Sequence, residues 1–161
     1  MKVLDASGII NLRDRELEGE FITVPEVKGE LRDVQARLKF EAAVVQGKIH
    51  LEEPSLEAFD RVEAKADKHG VLPLLSIADI KVLALAYERK LPIVTDDYDI
   101  QNMCWIMGLG FETVAVPGIK EAFEWSKKCY ACGKEYTTDI SECEACGSKR
   151  FIVSKRYSGK R

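Results

Sequence analysis

The sequence predicts an α/β domain of three layers, a central parallel sheet with helices over both faces, followed by a small C-terminal four-cysteine module. Three observations predict it. Short apolar runs alternate with stretches of helical periodicity, the pattern of strand–helix–strand units. Acids stand where two of the short runs end, at Asp5 and at Asp96-Asp97. Near the C-terminus Cys129-x-x-Cys132-Gly recurs as Cys143-x-x-Cys146-Gly. A chain of 161 residues with 46% apolar residues holds one domain of ordinary core density plus an appendage. The expected division is residues 1–125 and 126–161.

In chain order, Lys2-Val3-Leu4 reads as a strand ending in Asp5, and Ser7-Gly8 opens a brief helix through Ile9, Ile10 and Leu12. Arg13–Glu20 reads as a charged loop. Phe21–Val24 is a second strand stopped by Pro25. One long helix is expected from about Glu26 to Gln46, with Val27, Leu31, Val34, Leu38, Ala42 and Val45 inward and Gly47 as its cap. Ile49 and Leu51 alternate with polar residues as a short strand. Ser55 starts a helix closing near Gly70, and Val71–Leu75 connects it to a helix opened by Ser76, with Ile80, Leu83, Ala84 and Tyr87 on one face. Ile93-Val94 is a buried strand running into Asp96, Asp97 and Asp99. A helix over 100–107 follows, with Cys104 as a core residue, and Thr113–Val116 is expected to be the last strand.

Strands that end in acids deliver them to the carboxyl edge of the sheet, where open α/β sheets bind ligands. Asp5 and Asp97 arrive there from strand ends, and Glu30 and Asp79 reach the same edge from helices. Four such carboxylates hold one or two Mg²⁺ or Mn²⁺ ions. An ion so held lowers the pKa of an attacking water and stabilises charge on a phosphate. Each acid also has a structural reading. Ser76-x-x-Asp79 fits a capping box, Glu30 among Lys28, Arg32 and Asp33 fits a solvated face, and Asp96 or Asp97 fits a helix N-cap. Asp5 is harder to explain that way, because a charge ending an apolar strand is costly to bury alone.

The two C-x-x-C-G knuckles place four thiolates at the spacing of a tetrahedral structural zinc site. Iron in the same geometry and a redox pair are the alternatives. A closed site of this kind braces or binds rather than catalyses. Net charge divides sharply: residues 126–161 carry nine Lys/Arg against four acids, while 1–125 is acidic by eight. An acidic body with a basic tail points to a polyanionic partner. Tyr130, Tyr136, Phe151 and Tyr157 interleave with Lys149, Arg150, Lys155 and Arg156, and rings with cations suit single-stranded or looped RNA. Lys127 and Lys128 extend this candidate RNA-binding set. Packing of the ribbon is the alternative role for Tyr136 and Phe151. No apolar run approaches the ~18 residues of a membrane span, and the first residues lack a signal peptide's apolar region, so a cytoplasmic location is expected.

Over residues 1–120 the chain resembles the PIN-domain nucleases. The likeness rests on Val-Leu-Asp5-Ala-Ser7, Glu30 in Val-Lys-Gly-Glu30-Leu-Arg-Asp, Ser-Ile-Ala-Asp79 and Val-Thr95-Asp96-Asp97. The resemblance implies a PIN-like fold and a divalent metal held by Asp5, Glu30, Asp79 and Asp97. It selects Asp97 over Asp96, with Asp99 assisting and Ser7 and Thr95 as supporting hydroxyls. Joined to a zinc ribbon, the whole is similar to the archaeal Nob-type (Nin-one-binding) endoribonucleases, which mature the 3′ end of small-subunit ribosomal RNA. That similarity implies precursor ribosomal RNA as substrate, with the pre-ribosomal small subunit and its assembly factors as partners. The competing readings are a toxin-type PIN ribonuclease acting on transfer or messenger RNA, a non-catalytic RNA-binding assembly factor, and a protein-docking adaptor.

Overall fold

A computed structural model describes residues 1–11 and 19–157. Leu12, the expected end of the first helix, and most of the expected Arg13–Glu20 loop lie outside the described residues. The core is a five-stranded sheet of β1 (Lys2–Leu4), β2 (Phe21–Thr23), β3 (Ile49–Leu51), β4 (Ile93–Val94) and β5 (Phe111–Glu112). Its order is β3-β2-β1-β4-β5, and every pairing is parallel. All three residues of β2 are buried, as are Val3, Leu4, Ile93 and Val94, so the sheet is covered on both faces. Helices α1 (Ala6–Asn11), α2 (Val27–Glu30), α3 (Val34–Val45), α4 (Leu56–Lys68), α5 (Ile77–Arg89) and α6 (Tyr98–Met107) supply that cover. Chain order reverses between β1 and β4, the topological switch point where doubly wound sheets place their ligands.

The expected long helix over 26–46 is two helices. Leu31 leaves helical geometry (φ −74°, ψ 88°), and Asp33 restarts the chain as the N-cap of α3, accepting from the Ala36 amide at 2.9 Å. The break shifts the buried stripe. Val27 and Leu31 are buried as expected, but Ala36, Phe40 and Ala43 face the core on α3, leaving Val34 67%, Leu38 54% and Val45 88% exposed. A continuous 3.6-residue period cannot see a reset of the helix axis.

The expected strand Thr113–Val116 is also corrected. β5 is Phe111–Glu112, and the amides of Val114, Ala115 and Val116 bond to the Asp96 carboxylate at 2.8–3.4 Å instead of to a neighbouring strand. Apolar β-branched residues read as strand, yet a buried carboxylate captured their donors.

A second, antiparallel sheet follows, β7-β6-β8, from β6 (Phe123–Cys129), β7 (Glu135–Tyr136) and β8 (Phe151–Tyr157). β6 runs uninterrupted across residues 125 and 126. It is docked on the α/β body. The buried Asn102 carboxamide of α6 donates to the Phe123 carbonyl and accepts from the Phe123 amide, both at 2.8 Å. His69 Nδ1 lies 2.6 Å from Glu124, and the Trp125 amide donates to the His69 carbonyl.

Gly70 stands at this seam with φ +68°. A Cβ there would lie 2.4 Å from the Trp125 carbonyl oxygen and 2.8 Å from that of Thr137. Left-handed backbone and a backbone clash together set an expected cost of about 3 kcal/mol for Gly70→Ala. The denaturant midpoint should fall accordingly, and amide exchange should rise in β6 and β7 before it rises in β1 or β4.

Candidate metal centre and cysteine ribbon

Asp5 enters from the end of β1, Glu30 from the last residue of α2 and Asp79 from the first turn of α5. One carboxylate oxygen of each lies within 4.8 Å of the others. Asp5 is 2% exposed, and one oxygen, Oδ2, takes three donors: Ser7 Oγ at 2.6 Å, Thr95 Oγ1 at 2.9 Å and the Ser7 amide at 3.2 Å. Ser7 and Thr95 therefore hold the carboxylate from behind. Ser76 Oγ ties the other two acids together. It donates to Glu30 Oε1 at 2.6 Å and accepts from the Asp79 amide at 3.1 Å, while Asp79 Oδ2 accepts from the Ser76 amide at 2.7 Å. The capping box is real, and the same carboxylate serves the cluster.

Electrostatics match this crowding. Burial pushes the Asp5 carboxyl up despite its hydroxyl donors, and the charge of Asp79 adds to the rise. Asp79 is pushed up to about 6, first by burial, against the Ser76 hydrogen bonds, and further by the charges of Glu30 and Asp97. Oxygen donors only, converging from separate elements without a cation among them, fit a hard divalent ion and no soft one.

Asp97 stands outside this trio. It is the N-cap of α6, its Oδ1 accepting from the Asp99 amide at 2.7 Å and the Ile100 amide at 3.4 Å, yet its charge reaches Asp79. Asp99 is raised by burial and then by Asp97, while Lys155 opposes the rise. Asp96 has no freedom to join. It binds Asn11 Nδ2 at 2.7 Å besides the three loop amides, and these donors outweigh its burial and hold it below the usual carboxylate range.

The four cysteines meet in the second sheet. Cys129 and Cys146 sulfurs are 3.6 Å apart, as are those of Cys132 and Cys143, and all four lie within 4.8 Å of one another. That is far beyond a disulfide's S–S bond and close to the roughly 3.8 Å edge of a tetrahedron with Zn–S bonds of about 2.3 Å. The four-thiolate cluster thus fits zinc. The knuckles are twins: the Gly133 amide donates to the Cys129 carbonyl and the Gly147 amide to the Cys143 carbonyl, each glycine at positive φ. The Tyr136 hydroxyl, 3.1 Å from Cys143 Sγ, bonds to that sulfur and lowers its thiol to about 6. Tyr136 and Phe151 pack the ribbon edge to face, whereas Tyr130 is exposed beneath the Arg150 guanidinium at 4.6 Å. Cys104 is buried in the body, where burial pushes its thiol up to about 12.

Residues 3–88 match the family described as the PIN domain of ribonuclease. The endoribonuclease Nob1 of Pyrococcus abyssi is 38% identical over 156 residues, covering 96% of this chain and 94% of that protein. The chain belongs to the PIN-domain ribonucleases, in the Nob1 endoribonuclease family. Ribonuclease VapC1 of Thermoplasma acidophilum is 34% identical over 155 residues, covering 96% of this chain and 77% of its own. The 20S-pre-rRNA D-site endonuclease NOB1 of Saccharomyces cerevisiae is 29% identical over 103 residues, covering 62% of this chain and 22% of its own.

Within this Nob1-family chain, the cations expected to bind RNA are mostly engaged with ribbon acids. Lys127 pairs with Asp139, Lys128 with Glu135 at 3.8 Å, Lys149 with Glu142 at 3.9 Å and Arg156 with Glu135 at 2.8 Å. Exposed pairs of this kind are worth 1 kcal/mol or so at most and exchange readily for phosphate. Sequence reasoning passed over Ser76 as a bridge between two acids, Asn11 as a partner of Asp96, and Asn102. The signal for the last was present: Gln101-Asn102 puts two carboxamides among the apolar residues of α6. Gln101 is spent likewise, donating to the Thr95 carbonyl and accepting from the Ile119 amide. No helix among the described residues is long and apolar enough to cross a membrane.

Proposed function

We propose that this Nob1-family endoribonuclease cuts precursor small-subunit ribosomal RNA at its 3′ end, on the pre-ribosomal particle with its assembly factors and in the cytoplasm. The observation that carries the chemistry is the convergence of Asp5, Glu30 and Asp79 within 4.8 Å at the switch point of the sheet. These three, with Asp97 beside them and Asp99 assisting, hold Mg²⁺ or Mn²⁺. The ion neutralises phosphate charge and makes an attacking water more acidic. The chain's own residues do the rest. Ser7 and Thr95 fix the orientation of Asp5, Ser76 fixes Glu30 against Asp79, and the Asp97 cap sets where α6 begins. Zinc braces the ribbon, and Lys127, Lys128, Lys149, Arg150, Lys155 and Arg156 bind the RNA backbone. Exposed Tyr130 under Arg150 offers a stacking surface for an unpaired base.

The likeness to the yeast 20S-pre-rRNA D-site endonuclease supports the substrate, as does similarity to the Pyrococcus protein that extends through the ribbon. A second reading, a ribonuclease acting on other RNA, is favoured by the VapC1 relative. The test is cleavage of an RNA spanning the 3′ end of precursor small-subunit ribosomal RNA, with wild type and Asp97→Asn, in Mn²⁺ and in EDTA. A single Mn²⁺-dependent cut at the mature end, reduced at least tenfold in the variant, is expected. Mn²⁺-dependent cutting elsewhere removes the ribosomal assignment and keeps the nuclease. Tight RNA binding with no cut under any condition overturns the catalytic reading.

A further inference from the structure

We propose that Lys155, a ribbon residue, is a working part of the nuclease site: it holds the RNA phosphate next to the scissile one, beside Asp99. The inference rests on the endoribonuclease reading and requires no particular RNA. The geometry begins with α6. Asp99 and Asn102 are three residues apart and share one face of that helix. The Asn102 carboxamide grips both backbone groups of Phe123, so the start of β6 is fixed one helical turn from Asp99. Lys155 is paired with Trp125 across β6 and β8, on the same side of the sheet as Phe123. Its ammonium lies 3.4 Å from the centre of the Phe123 ring and 5.8 Å from that of Trp125. The cation is thereby carried over the clamp that ties β6 to α6, on the helix that also bears Asp99.

The consequence is chemical. Asp5, Glu30, Asp79, Asp97 and Asp99 form a negative edge, and a polyanion must be brought to it. A divalent ion serves the phosphate under attack, but the neighbouring phosphate still meets carboxylates. A lysine seated on an aromatic face beside the last of them supplies the missing positive charge, and its seat orders the ammonium before RNA arrives. Lys127, Lys134 and Arg150 also lie over rings, but those are Phe151, Tyr136 and Tyr130 of the ribbon and not the Phe123 that Asn102 holds. Lys155 is thus expected to act on the rate, and the others on affinity.

The experiment uses the full-length, zinc-loaded protein under single-turnover conditions in Mn²⁺. Wild type, Lys155→Ala, Lys155→Arg and Lys149→Ala are compared on the precursor ribosomal RNA and on an unrelated unstructured RNA. Lys155→Ala should lower the cleavage rate by roughly tenfold to a hundredfold, as loss of a preorganised charge contact does. RNA affinity should change no more than about threefold, with melting temperature and zinc content unchanged. Lys155→Arg should recover most of the rate, and Lys149→Ala should weaken affinity by a larger factor than it slows cleavage. A methylphosphonate replacing the adjacent phosphate should slow wild type and leave Lys155→Ala unaffected. An equal loss of affinity with the saturated rate intact would make Lys155 an ordinary RNA contact and overturn the proposal, as would a deficit independent of the methylphosphonate. Should wild type cut only the unrelated RNA, the ribosomal assignment fails while the same comparison still decides Lys155. Should it cut neither, the nuclease reading and this proposal fail together.

Discussion

Asp5→Asn should lower the cleavage rate by about three orders of magnitude and, in protein free of divalent ions at the acidic site, raise the melting temperature. The two effects share one cause. Asp5 Oδ2 accepts from the Ser7 hydroxyl, the Ser7 amide and the Thr95 hydroxyl. An asparagine oxygen can keep those bonds, and its NH₂ then takes the place of Oδ1 in the cluster with Glu30 and Asp79. The variant removes a buried charge that nothing in the metal-free cluster offsets and adds a donor facing two carboxylates, a gain of roughly 1–2 kcal/mol. It also removes an anionic oxygen ligand from the centre of the trio, and loss of one element of a preorganised electrostatic site costs about 10²–10³ or more in rate.

The pH dependence has a definite sign. The Asp5 carboxyl is raised, and Asp79 is raised from 3.8 to about 6, so the fold holds protons that the unfolded chain has released. Stability from these groups is fully present below about pH 4 and is lost as pH rises through about 6. The gap in melting temperature between Asp5→Asn and wild type should therefore widen from pH 5 to pH 7.5. Mn²⁺ at pH 7.5 should raise the melting temperature of wild type more than that of the variant. Calorimetry across this range decides the matter: a gap that narrows with pH, or a variant less stable than wild type at pH 7.5 without Mn²⁺, contradicts the account of the cluster.

Removing zinc, by chelation or by Cys143→Ser, should unfold the ribbon and leave the α/β body folded. The ribbon's own apolar cluster consists of Cys129, Tyr136 and Cys143, flanked by Ile140 and Phe151. Such a cluster cannot offset the chain entropy of some 35 residues at about 1 kcal/mol or more each. Bound zinc, worth about 10 kcal/mol or more at neutral pH, supplies the difference. The body has its own continuous core running from Val3 to Cys104. Amide exchange should show protection lost throughout β6, β7 and β8 and kept in β1, β2 and β4. RNA affinity should fall at least tenfold with a shallower salt slope, because the ribbon's cations no longer act together. Protection of β6–β8 surviving without metal would show that docking on α4 and α6, and not zinc, sustains the ribbon.

The sequence by itself determined the alternation that makes a parallel sheet, because apolar runs bounded by acids, Gly and Pro leave a strand few other places to sit. It determined that four sulfurs meet, because two knuckles of fixed length bring them to one point whatever surrounds them. It also marked Asp5, whose position at the end of a buried strand is hard to explain without a partner. Local chemistry was enough in each case.

Other features were decided only in three dimensions. The 26–46 helix broke because Asp33 offered a cap that outcompeted the helix, and periodicity carries no record of such a competition. Thr113–Val116 gave up its strand because Asp96, distant in sequence, took its amides. Asp79 and Glu30 looked like a cap and a surface residue, and the Ser76 hydroxyl, bonded to one side chain and to the other's amide, joins them into one site. Lys155 read as one cation among many in a basic tail, and the Asn102 clamp together with the β6–β8 register gives it a particular place beside the acids. Each of these outcomes depended on which distant donor or charge came within about 3–4 Å. That distance is fixed by packing, and no local window of sequence contains it.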